Sequence, residues 1–351
     1  MRFFSATAQD LILREQATVT YTANQKVAQK LGKGSWLRYM ALRLRGAPTL
    51  AAASNTNALT KPGDEWAVVV RVDIILGGET VFSMSGEELR MWNRIWYRVN
   101  PRGTVVIGDA TTANPSFDSV LLIPFATPGL ARPQDTALDA TDADDFRIEV
   151  TWGDHTSING SASAMTTAPT LVVATKEAYG NTGYWVDRLM TRNDNTATGA
   201  NSDLRVDLPI GNYKYPAFLI HVEDASGNDL AANVNRIKLK SGPRTFIDID
   251  GETAQQAQML VDNVEQDQYP TSAGALFYDD SARSSNSNAR SWYYIPYSDD
   301  GYLTEALDAR GLSDLYFSFD VAAACKVTVL AVTIRPNAKA EALDAAGKLA
   351  A

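Results

Sequence analysis

Residues 291–321 have the sequence SWYYIPYSDDGYLTEALDARGLSDLYFSFDV. The aromatic segment 292–297 is typical of a strand on a half-buried, pleated surface. Residues 298–301 are a cluster of turn formers. In the segment 315–321, large apolar residues alternate with polar ones, which indicates a second strand with one buried face. The stretch is therefore predicted to fold as strand, loop and strand.

An earlier part of the chain repeats this pattern. Residues 119–150 have the sequence SVLLIPFATPGLARPQDTALDATDADDFRIEV. Three segments match in the same order, at offsets of 172, 169 and 171 residues: 123–125 with 295–297, 137–140 with 306–309, and 146–150 with 317–321.

Further matches extend the repeat toward the amino terminus. Residues 80–86 (TVFSMSG) match residues 245–251 (TFIDIDG) at an offset of 165. Two smaller sets precede them: Ile74 and Leu76 with Ile237 and Leu239 at an offset of 163, and Leu31, Gly34 and Trp36 with Leu208, Gly211 and Tyr213 at an offset of 177. Matches that keep one order over most of the chain predict an internal duplication, with loops of unequal length between the matched segments.

The composition is that of a globular protein with a hydrophobic core. Of the 351 residues, 45% are hydrophobic and 21% are charged. The net charge of −9 disfavours nucleic-acid binding through a basic surface, and no direct sequence-specific nucleic-acid contact is expected. The apolar runs are too short to span a membrane, and the amino-terminal residues lack the apolar core of a secretory signal. The single cysteine, Cys325, is predicted to be a buried packing residue.

Most of the chain is predicted to form short strands joined by turns. Gly77-Gly78 is expected to form a hairpin turn, because glycine takes a positive φ without a steric penalty. Helical spacing of apolar residues predicts a helix at 87–97, with Ser85 as its cap, and a counterpart at 252–261. A further short helix is expected at 5–16. The other expectations include strands at 66–76 and 170–174 and polar loops at 50–63, 135–143 and 181–203.

Each half of the chain holds about eight short strands and one helix. Eight strands in two facing sheets form a jelly roll. The predicted fold is therefore all-β, with two tandem eight-stranded jelly rolls and one short helix in each. The expected domains are 1–179 for the first jelly roll with its short amino-terminal segment, 180–336 for the second, and 337–351 for a carboxy-terminal tail.

The chain resembles the double jelly-roll major capsid proteins of tailless icosahedral viruses, the lineage that includes the tectiviruses and the adenovirus hexon. The resemblance is carried by the aromatic strand 292–297 with its apolar-Pro-apolar step, the following turn, the segment 303–309 and the strand 315–321. It extends to the rest of the chain through the duplication. It implies a viral structural protein that is made in the host cytoplasm, is located in the virion, and has no catalytic site and no cofactor.

The resemblance further implies a homotrimer that forms a pseudo-hexagonal capsomer of an icosahedral shell. Its partners would be neighbouring capsomers, vertex or minor capsid proteins and an internal membrane. Three loops are expected at towers or subunit contacts: 50–63, 191–203 and 265–288. The first 16 and last 15 residues would face neighbours or the membrane. In the first of these segments only Arg2 and Arg14 are basic, which is few for binding lipid headgroups.

Candidate chemical groups are few, and no catalytic, cofactor-binding or metal-ligating residue is predicted. His155 and His221 lie in different halves, and neither a nucleophile motif nor a zinc-ligand pattern accompanies them. Asp248 and Asp250 resemble part of a calcium loop but lack its full spacing, and a solvated strand face explains them. The acidic residues of 139–145 form either a polar loop or a cation site at a trimer interface.

Two other functions stay open. A tandem β-sandwich protein that binds or processes carbohydrate would need an exposed aromatic platform or a pair of carboxylates in a cleft. The chain has seven tryptophans that could supply a platform, although Trp66, Trp92 and Trp96 fit buried faces. A minor or vertex capsid component would have the same fold, and its copy number in the particle would distinguish it from the major protein.

Overall fold

The structure, a computed structural model, describes residues 10–50, 64–97, 103–105, 116–125, 137–158, 162–179, 186–224, 230, 233–254, 268–270, 276–278, 291–297 and 306–336. Contacts divide the chain into two compact units, the first consisting mainly of residues 1–189 and the second mainly of residues 190–335. Both units are built mainly from antiparallel β-strands.

The first unit contains two sheets. Its described strands are β1 (Asp10–Thr20), β2 (Lys26–Lys30), β3 (Trp36–Leu50), β4 (Val69–Leu76), β5 (Glu79–Met84), β6 (Gly103–Val105), β7 (Phe117–Pro124), β8 (Leu138–Asp139), β9 (Phe146–Trp152) and β10 (Ala162–Tyr179). Its helices are α1 (Gly86–Tyr97), α2 (His155–Ile158) and a 3-10 helix at Asp64–Val68. One sheet has the order β1-β10-β3-β7-β6, with β8 paired to β3, and the other has the order β2-β9-β4-β5.

The second unit repeats this plan. Its described strands are β11 (Val186–Ala197), β12 (Asn201–Asp207), β13 (Lys214–Glu223), β14 (Val234–Ser241), β15 (Arg244–Asp250), β16 (Gln268–Pro270), β17 (Leu276–Tyr278), β18 (Trp292–Pro296), β19 (Leu307–Asp308), β20 (Tyr316–Val321) and β21 (Cys325–Pro336). One sheet has the order β11-β21-β13-β18, with β19 paired to β13, and another has the order β12-β20-β14-β15. The strands β16 and β17 pair with each other.

Strand for strand, the two units have the same connectivity. The order β1-β10-β3-β7 corresponds to β11-β21-β13-β18, and β2-β9-β4-β5 corresponds to β12-β20-β14-β15. The short strands β8 and β19 lie in the repeated ALDA segments and pair with β3 and β13. Eight strands in two four-stranded sheets form a jelly roll. The predicted double jelly roll is confirmed.

The core of the second unit lies between its two sheets. Phe218 and Ile220 on β13 share a buried cluster with Phe317 and Phe319 on β20. The rings of Phe218 and Phe317 meet edge to face, with centroids 5.0 Å apart. Burying one such side chain contributes about 1.5–3 kcal/mol to folding. This contribution is the physical reason for the predicted alternation in β20, whose apolar side chains face the core.

The repeated apolar-Pro-apolar step ends β7 and β18 in the same way. The backbone N–H of Phe125 donates to the carbonyl oxygen of Arg38 at 2.9 Å, and that of Tyr297 donates to Pro216 at 2.8 Å. These two hydrogen bonds fasten β7 to β3 and β18 to β13. The match of 123–125 with 295–297 is therefore confirmed, and it sets the correspondence between the two strand pairs.

Two of the matches predicted between the halves of the chain are displaced by two residues from the correspondence that the structure shows. In the β4-β5 hairpin, Ile74 pairs with Phe82 before a bulge, and in the β14-β15 hairpin, Leu239 pairs with Ile247 before an equivalent bulge. Ile74 therefore corresponds to Leu239, so the match of Ile74 with Ile237 and the match of Leu76 with Leu239 were both wrong. A shift of two residues keeps every side chain on the same face of the strand, so apolar alternation does not detect it.

The match between β9 and β20 needs the same correction. The N–H of Leu31 donates to the carbonyl oxygen of Phe146 at 2.9 Å, and that of Leu208 donates to Leu315 at 2.8 Å. Phe146 therefore corresponds to Leu315, and its match with Phe317 was wrong by two residues. Again the apolar face is the same in both alignments.

The match of Trp36 with Tyr213 was wrong by one residue. The N–H of Ala140 donates to the carbonyl oxygen of Ser35 at 3.1 Å, and that of Ala309 donates to Tyr213 at 3.0 Å. Ser35 is therefore the counterpart of Tyr213. The turn that precedes β13 is one residue longer than the turn that precedes β3, which accounts for the difference.

Two segments that were predicted as helix and loop are strands. Residues 10–16, expected within a helix at 5–16, belong to β1 and pair with β10, and this tertiary pairing overrides the local helical pattern. Residues 5–9 lie outside the described part of the chain. Residues 186–197 and 201–203, expected in a loop at 181–203, belong to β11 and β12. Both are edge strands, and runs of polar residues at 193–196 and 201–203 made their composition resemble that of a loop.

Three other boundaries differ from those expected. The strand predicted at 66–76 begins with the 3-10 helix and continues as β4, and the strand predicted at 170–174 is part of the longer β10. The loop predicted at 135–143 contains β8, where Leu138 pairs with Leu37 of β3 and is buried.

The helix α1 begins with a reciprocal cap. The hydroxyl of Ser85 accepts a hydrogen bond from the N–H of Glu88 at 3.1 Å, and the carboxylate of Glu88 accepts one from the N–H of Ser85 at 2.7 Å. The predicted helix at 87–97 and its cap are confirmed. Within the described residues, no helix combines the length and the apolarity that crossing a membrane requires.

The predicted counterpart helix at 252–261 is described only in its first turn. Residues 251–254 are helical, and the rest of the predicted helix lies outside the described residues. The carboxylate of Asp250 accepts a hydrogen bond from the N–H of Thr253 at 2.8 Å, which makes Asp250 the cap of this turn.

Candidate assembly surface

The outward face of the sheet β1-β10-β3-β7 carries partly exposed apolar side chains. On β3, Leu42 is buried in the core, whereas the alternate residues Ala41 and Arg43 face outward. Cross-strand pairing places Arg43 between Val172 on β10 and Val120 on β7. The outer face of the first unit is defined here by Ala41, Arg43, Val120, Leu122, Val172 and Ala174.

One carboxylate and two guanidinium groups border this outer face. Arg43 Nε donates to Asp118 Oδ1 at 2.7 Å, and Arg43 Nη2 donates to Oδ2 at 2.5 Å. Arg45 Nε lies 3.2 Å from Asp118 Oδ2. The hydrogen bond from Arg43 lowers the pKa of Asp118, and the same bond raises the pKa of Arg43. On the other side of this face, the exposed Glu15 on β1 pairs with Ala174, so a second carboxylate lies beside it.

Asn93 of α1 covers part of the open edge of β7. Its Nδ2 donates to the carbonyl oxygen of Leu122 at 2.7 Å, and its Oδ1 accepts from the N–H of Leu122 at 2.7 Å. The side-chain amide therefore takes the place of a neighbouring strand, which protects an otherwise exposed edge. The sequence analysis missed this residue. The sequence contained one indication of this role: Asn93 is a polar residue four positions after Leu89, on the otherwise apolar face of the helix.

A buried carboxylate holds β1 to β10. Glu177 accepts hydrogen bonds from Thr175 Oγ1 at 2.6 Å and from Arg14 Nε at 3.0 Å, and it also contacts the Tyr179 hydroxyl and the Gln16 amide. Burial raises the pKa of Glu177, but the hydrogen bonds from Thr175, Tyr179 and Arg14 outweigh it, so this pKa lies below its ordinary value. The amino-terminal strand is thereby tied to the sheet by side chains as well as by its backbone.

Two carboxylates face each other on the other sheet of the first unit. Glu149 on β9 pairs with Asp73 on β4, and Lys26 contacts Glu149 while its Nζ lies 3.7 Å from Asp73 Oδ2. The hydrogen bond from Lys26 is the main cause of a lowered pKa at Glu149. The general acid of a glycosidase needs a raised pKa instead. This pair is therefore an ion-pair network and does not fit the alternative of glycan hydrolysis.

The acidic residues that resembled a calcium loop have structural partners. Asp248 accepts a hydrogen bond from Arg236 Nε at 2.5 Å, and this bond lowers the pKa of Asp248. Asp250 is the helix cap described above. In the segment 139–145, Asp139 accepts from the N–H of Thr141 at 3.0 Å. In the described part of the chain, no group of three or more His, Cys, Asp and Glu side chains is placed to hold a metal ion.

The two histidines lie in different units. His155 begins α2 in the first unit, whereas His221 lies within β13 in the second. His221 is 2% exposed and stacks on Trp292, with ring centroids 3.7 Å apart and planes 4° from parallel. His221 Nδ1 lies 3.8 Å from Glu223 Oε1. This is the environment of a buried side chain that is packed against its neighbours.

The tryptophans whose side chains are described do not form an exposed platform. All of them are buried: Trp36, Trp66, Trp92, Trp152 and Trp292. The large exposed apolar side chains of the described residues are aliphatic: Ile12, Leu13, Val70, Val120 and Ile210. Stacking on a sugar ring would need an exposed aromatic face, so these residues do not support a carbohydrate-binding surface.

Cys325 is 2% exposed at the start of β21, and burial raises the pKa of its thiol. Its predicted role as a packing residue is confirmed. Several predicted contact segments lie outside the described residues: 1–9, 51–63, 337–351 and most of 265–288. The segment 191–203, expected as a contact loop, is largely β11 and β12, as described above.

No protein-family model matches the chain, and no curated protein matches it. Solved structures do. A chain of the Sulfolobus turreted icosahedral virus matches with a TM-score of 0.68 at 12% identity, covering 93% of this chain and 91% of that chain. The major capsid protein of bacteriophage PM2 matches with a TM-score of 0.60 at 11% identity, covering 94% and 99%. The Faustovirus major capsid protein matches with a TM-score of 0.57 at 8% identity, covering 95% and 92%. The protein therefore has a double jelly-roll fold that is similar over nearly its whole length to the fold of viral major capsid proteins.

Proposed function

We propose that the protein is a viral capsid protein that assembles with further copies of itself into the shell of a virion. The observation that carries this proposal is the fold match at a TM-score of 0.68 over 93% of this chain and 91% of the other. A single jelly roll occurs in proteins with many functions. A match that includes both jelly rolls in one chain is a narrower constraint, because the fold must occur twice in the same sequence.

The chemistry of the described residues supports a structural role. The facing carboxylates Glu149 and Asp73 are engaged by Lys26, and the described tryptophans are buried. These observations weaken the alternative of a carbohydrate-binding or glycan-processing protein. The protein would act through its surfaces and not through a reaction centre.

The finer proposal is a homotrimer that serves as the major protein of the shell. Two jelly rolls in each chain give six in a trimer, which matches the outline of a pseudo-hexagonal capsomer. Closed rotational symmetry is the usual arrangement of soluble oligomers. The further partners of this trimer would be neighbouring capsomers, vertex or minor capsid proteins and an internal membrane. The protein would be synthesised in the host cytoplasm. The division into 1–179, 180–336 and 337–351 stays a prediction.

The test is the native mass of the purified chain, measured by light scattering and native mass spectrometry. We expect a species of three times the 38.1 kDa chain that persists on dilution. Electron microscopy of concentrated samples should then show shells or hexagonal arrays. A monomer at all concentrations that binds a glycan array would overturn the proposal. Quantifying the chain in purified particles would separate a major protein from a minor or vertex component.

A further inference from the structure

The attachment of β1 to β10 changes at a bulge. The register of the two strands shifts at Gln16. After this bulge, Val19 is 1% exposed and belongs to the hydrophobic core. Before it, Ile12 is 44% exposed and Leu13 is 58% exposed. Residues 10–16, called the strap here, thus leave both of these apolar side chains exposed to solvent.

The equivalent strand of the second unit buries the corresponding apolar side chains. The last residues of β1 and β11 are 177 residues apart. At this offset, Ile12 and Leu13 correspond to Leu189 and Met190. Leu189 is 4% exposed and Met190 is 5% exposed. Burial of apolar surface is the dominant favourable contribution to folding, so the strap lacks much of the stabilisation that β11 receives.

Polar side chains attach the strap instead. Arg14 Nε donates a hydrogen bond to Glu177 Oε1 at 3.0 Å. Gln16 Nε2 donates to Thr175 Oγ1 at 3.0 Å and also contacts Glu177 Oε1. Gln16 Oε1 accepts from the N–H of Gly32 at 3.0 Å. Arg14 and Gln16 therefore reach from the strap to the same carboxylate oxygen on β10.

The negative charge of this carboxylate is what makes the attachment strong. Glu177 is 0% exposed, and a charge buried in this way needs surrounding donors. Its own strand supplies Thr175 Oγ1 at 2.6 Å and the hydroxyl of Tyr179. Among the described residues, the titratable groups that face it are Arg14 from β1 and Tyr179 from β10, and the neutral Ser35 lies beside Tyr179. Hydrogen bonds to an ionised acceptor are about twice as strong as neutral ones.

We propose that the strap opens from β10 on its own when Glu177 loses its negative charge. The bulge at Gln16 acts as the hinge, because the ladder of backbone hydrogen bonds is already interrupted there. The buried Val19 keeps the rest of β1 in place. Opening frees the edge of β10 at 174–179, and a free strand edge pairs readily with another extended segment. The inference does not depend on the proposed function.

The test is hydrogen exchange of the full chain at pH 7, followed by mass spectrometry at several urea concentrations below the unfolding transition. In the wild type, we expect amides of the strap to exchange with at least tenfold less protection than those of 17–20. Their exchange should depend little on urea, because a local opening exposes little surface. In Glu177→Gln, which removes the charge and keeps the shape, protection of the strap should fall at least tenfold further.

Glu15→Gln is the matched control. It removes a negative charge from the strap itself, at a side chain that is exposed. Its strap amides should keep the wild-type protection. Far-UV circular dichroism of both variants checks that the sheets form.

A second variant tests the attachment from the strap and leaves the buried carboxylate in place. The side chain of Arg14 is 45% exposed, so Arg14→Met should fold even if Glu177→Gln does not. We expect its strap amides to exchange at least threefold faster than those of the wild type. In the double variant, the two effects should combine to less than their product, because both changes remove the same ion pair.

Local exchange of 10–16 that is accelerated by Glu177→Gln and by Arg14→Met would support the inference. It would be overturned if the strap and residues 17–20 shared one protection and one urea dependence in the wild type, because β1 would then open as a whole. It would equally be overturned if the strap of a folded Glu177→Gln, or of Arg14→Met, kept the wild-type protection.

Discussion

Gly86 and Gly251 occupy equivalent positions in the two jelly rolls, and each lies against a backbone carbonyl group. A Cβ atom at Gly86 would stand 2.1 Å from the carbonyl oxygen of Trp66, and one at Gly251 would stand 2.0 Å from that of Val234. Both distances are far inside the 3.0 Å limit that real Cβ contacts respect. The two halves therefore share a close backbone approach at the start of a helix, 165 residues apart.

Substituting either glycine by alanine should destabilise its jelly roll. Gly86→Ala and Gly251→Ala must each displace backbone, and we expect each to lower the free energy of unfolding by about 1–3 kcal/mol. Urea denaturation followed by tryptophan fluorescence measures this. Gly199→Ala is the control, because its Cβ would meet no atom within 4 Å. Equal stability of Gly86→Ala and the control would show that the backbone relaxes without cost.

Removing the side-chain amide that covers β7 should also be costly. Asn93→Leu keeps most of the packing but leaves the N–H and carbonyl groups of Leu122 without their partner. We expect a loss of about 1–3 kcal/mol in the free energy of unfolding. The exposed Asn235, which bonds Asp320 at 3.2 Å, is the control, and Asn235→Leu should change stability by less than about 0.5 kcal/mol. A stability of Asn93→Leu equal to that of the control would refute this role.

Glu177 should give the stability of the first unit a dependence on acid pH. Its pKa is lower in the folded state than in the unfolded chain, where a glutamate titrates near pH ~4.3. Its contribution is therefore present above that value and is lost as the pH falls through the folded-state pKa. Glu177→Gln should be less stable than the wild type at pH 7 and should lose less stability on acidification.

Urea unfolding at a series of pH values between neutral and acid measures this dependence. Glu15→Gln is a matched control on the neighbouring strand, where the side chain is exposed, and it should keep the wild-type profile. A Glu177→Gln profile that runs parallel to the wild type would mean that Glu177 does not titrate differently in the folded protein.

Two adjacent aromatic residues of β20 should differ in their effect on stability. Phe317 is fully buried in the core of the second unit, and Phe317→Ala should cost about 3–5 kcal/mol. Tyr316 faces outward, and the guanidinium carbon of Arg205 lies 3.9 Å from the centroid of its ring. Tyr316→Ala should therefore lower the free energy of unfolding by no more than about 1 kcal/mol. Thermal or urea unfolding of the two variants measures the difference. If the two variants lost similar stability, the assignment of Phe317 to the buried face of β20 and of Tyr316 to the outward face would be wrong.

Local patterns were sufficient to predict the fold. The alternation in 315–321 reports one buried face of one strand, and it needs no knowledge of the partner strands. The repeated apolar-Pro-apolar step and ALDA segments could be matched because equivalent strands of the two units make equivalent contacts. The cap at Ser85 was likewise visible, because a capping box is contained within four residues.

Edges and registers could not be predicted in this way. Residues 186–197 and 10–16 form edge strands whose polar or mixed composition carries no alternation, and only pairing with β21 and β10 makes them strands. The counterparts of Ile74 and Phe146 were displaced by two residues because side chains of a strand repeat every two residues. Cross-strand hydrogen bonds distinguish such alignments, and the sequence does not contain them.

By itself, the sequence determined that this chain is a duplicated all-β protein. The spacing of apolar residues and the positions of turn residues are properties of short segments, so they can be recognised without knowing the tertiary structure. Only the tertiary structure decided which outward faces are covered. Val120 and Trp292 occupy equivalent positions next to equivalent strands, yet one is 38% exposed and the other 2%. Burial is a property of everything that packs against a residue, and that packing is assembled from distant parts of the chain.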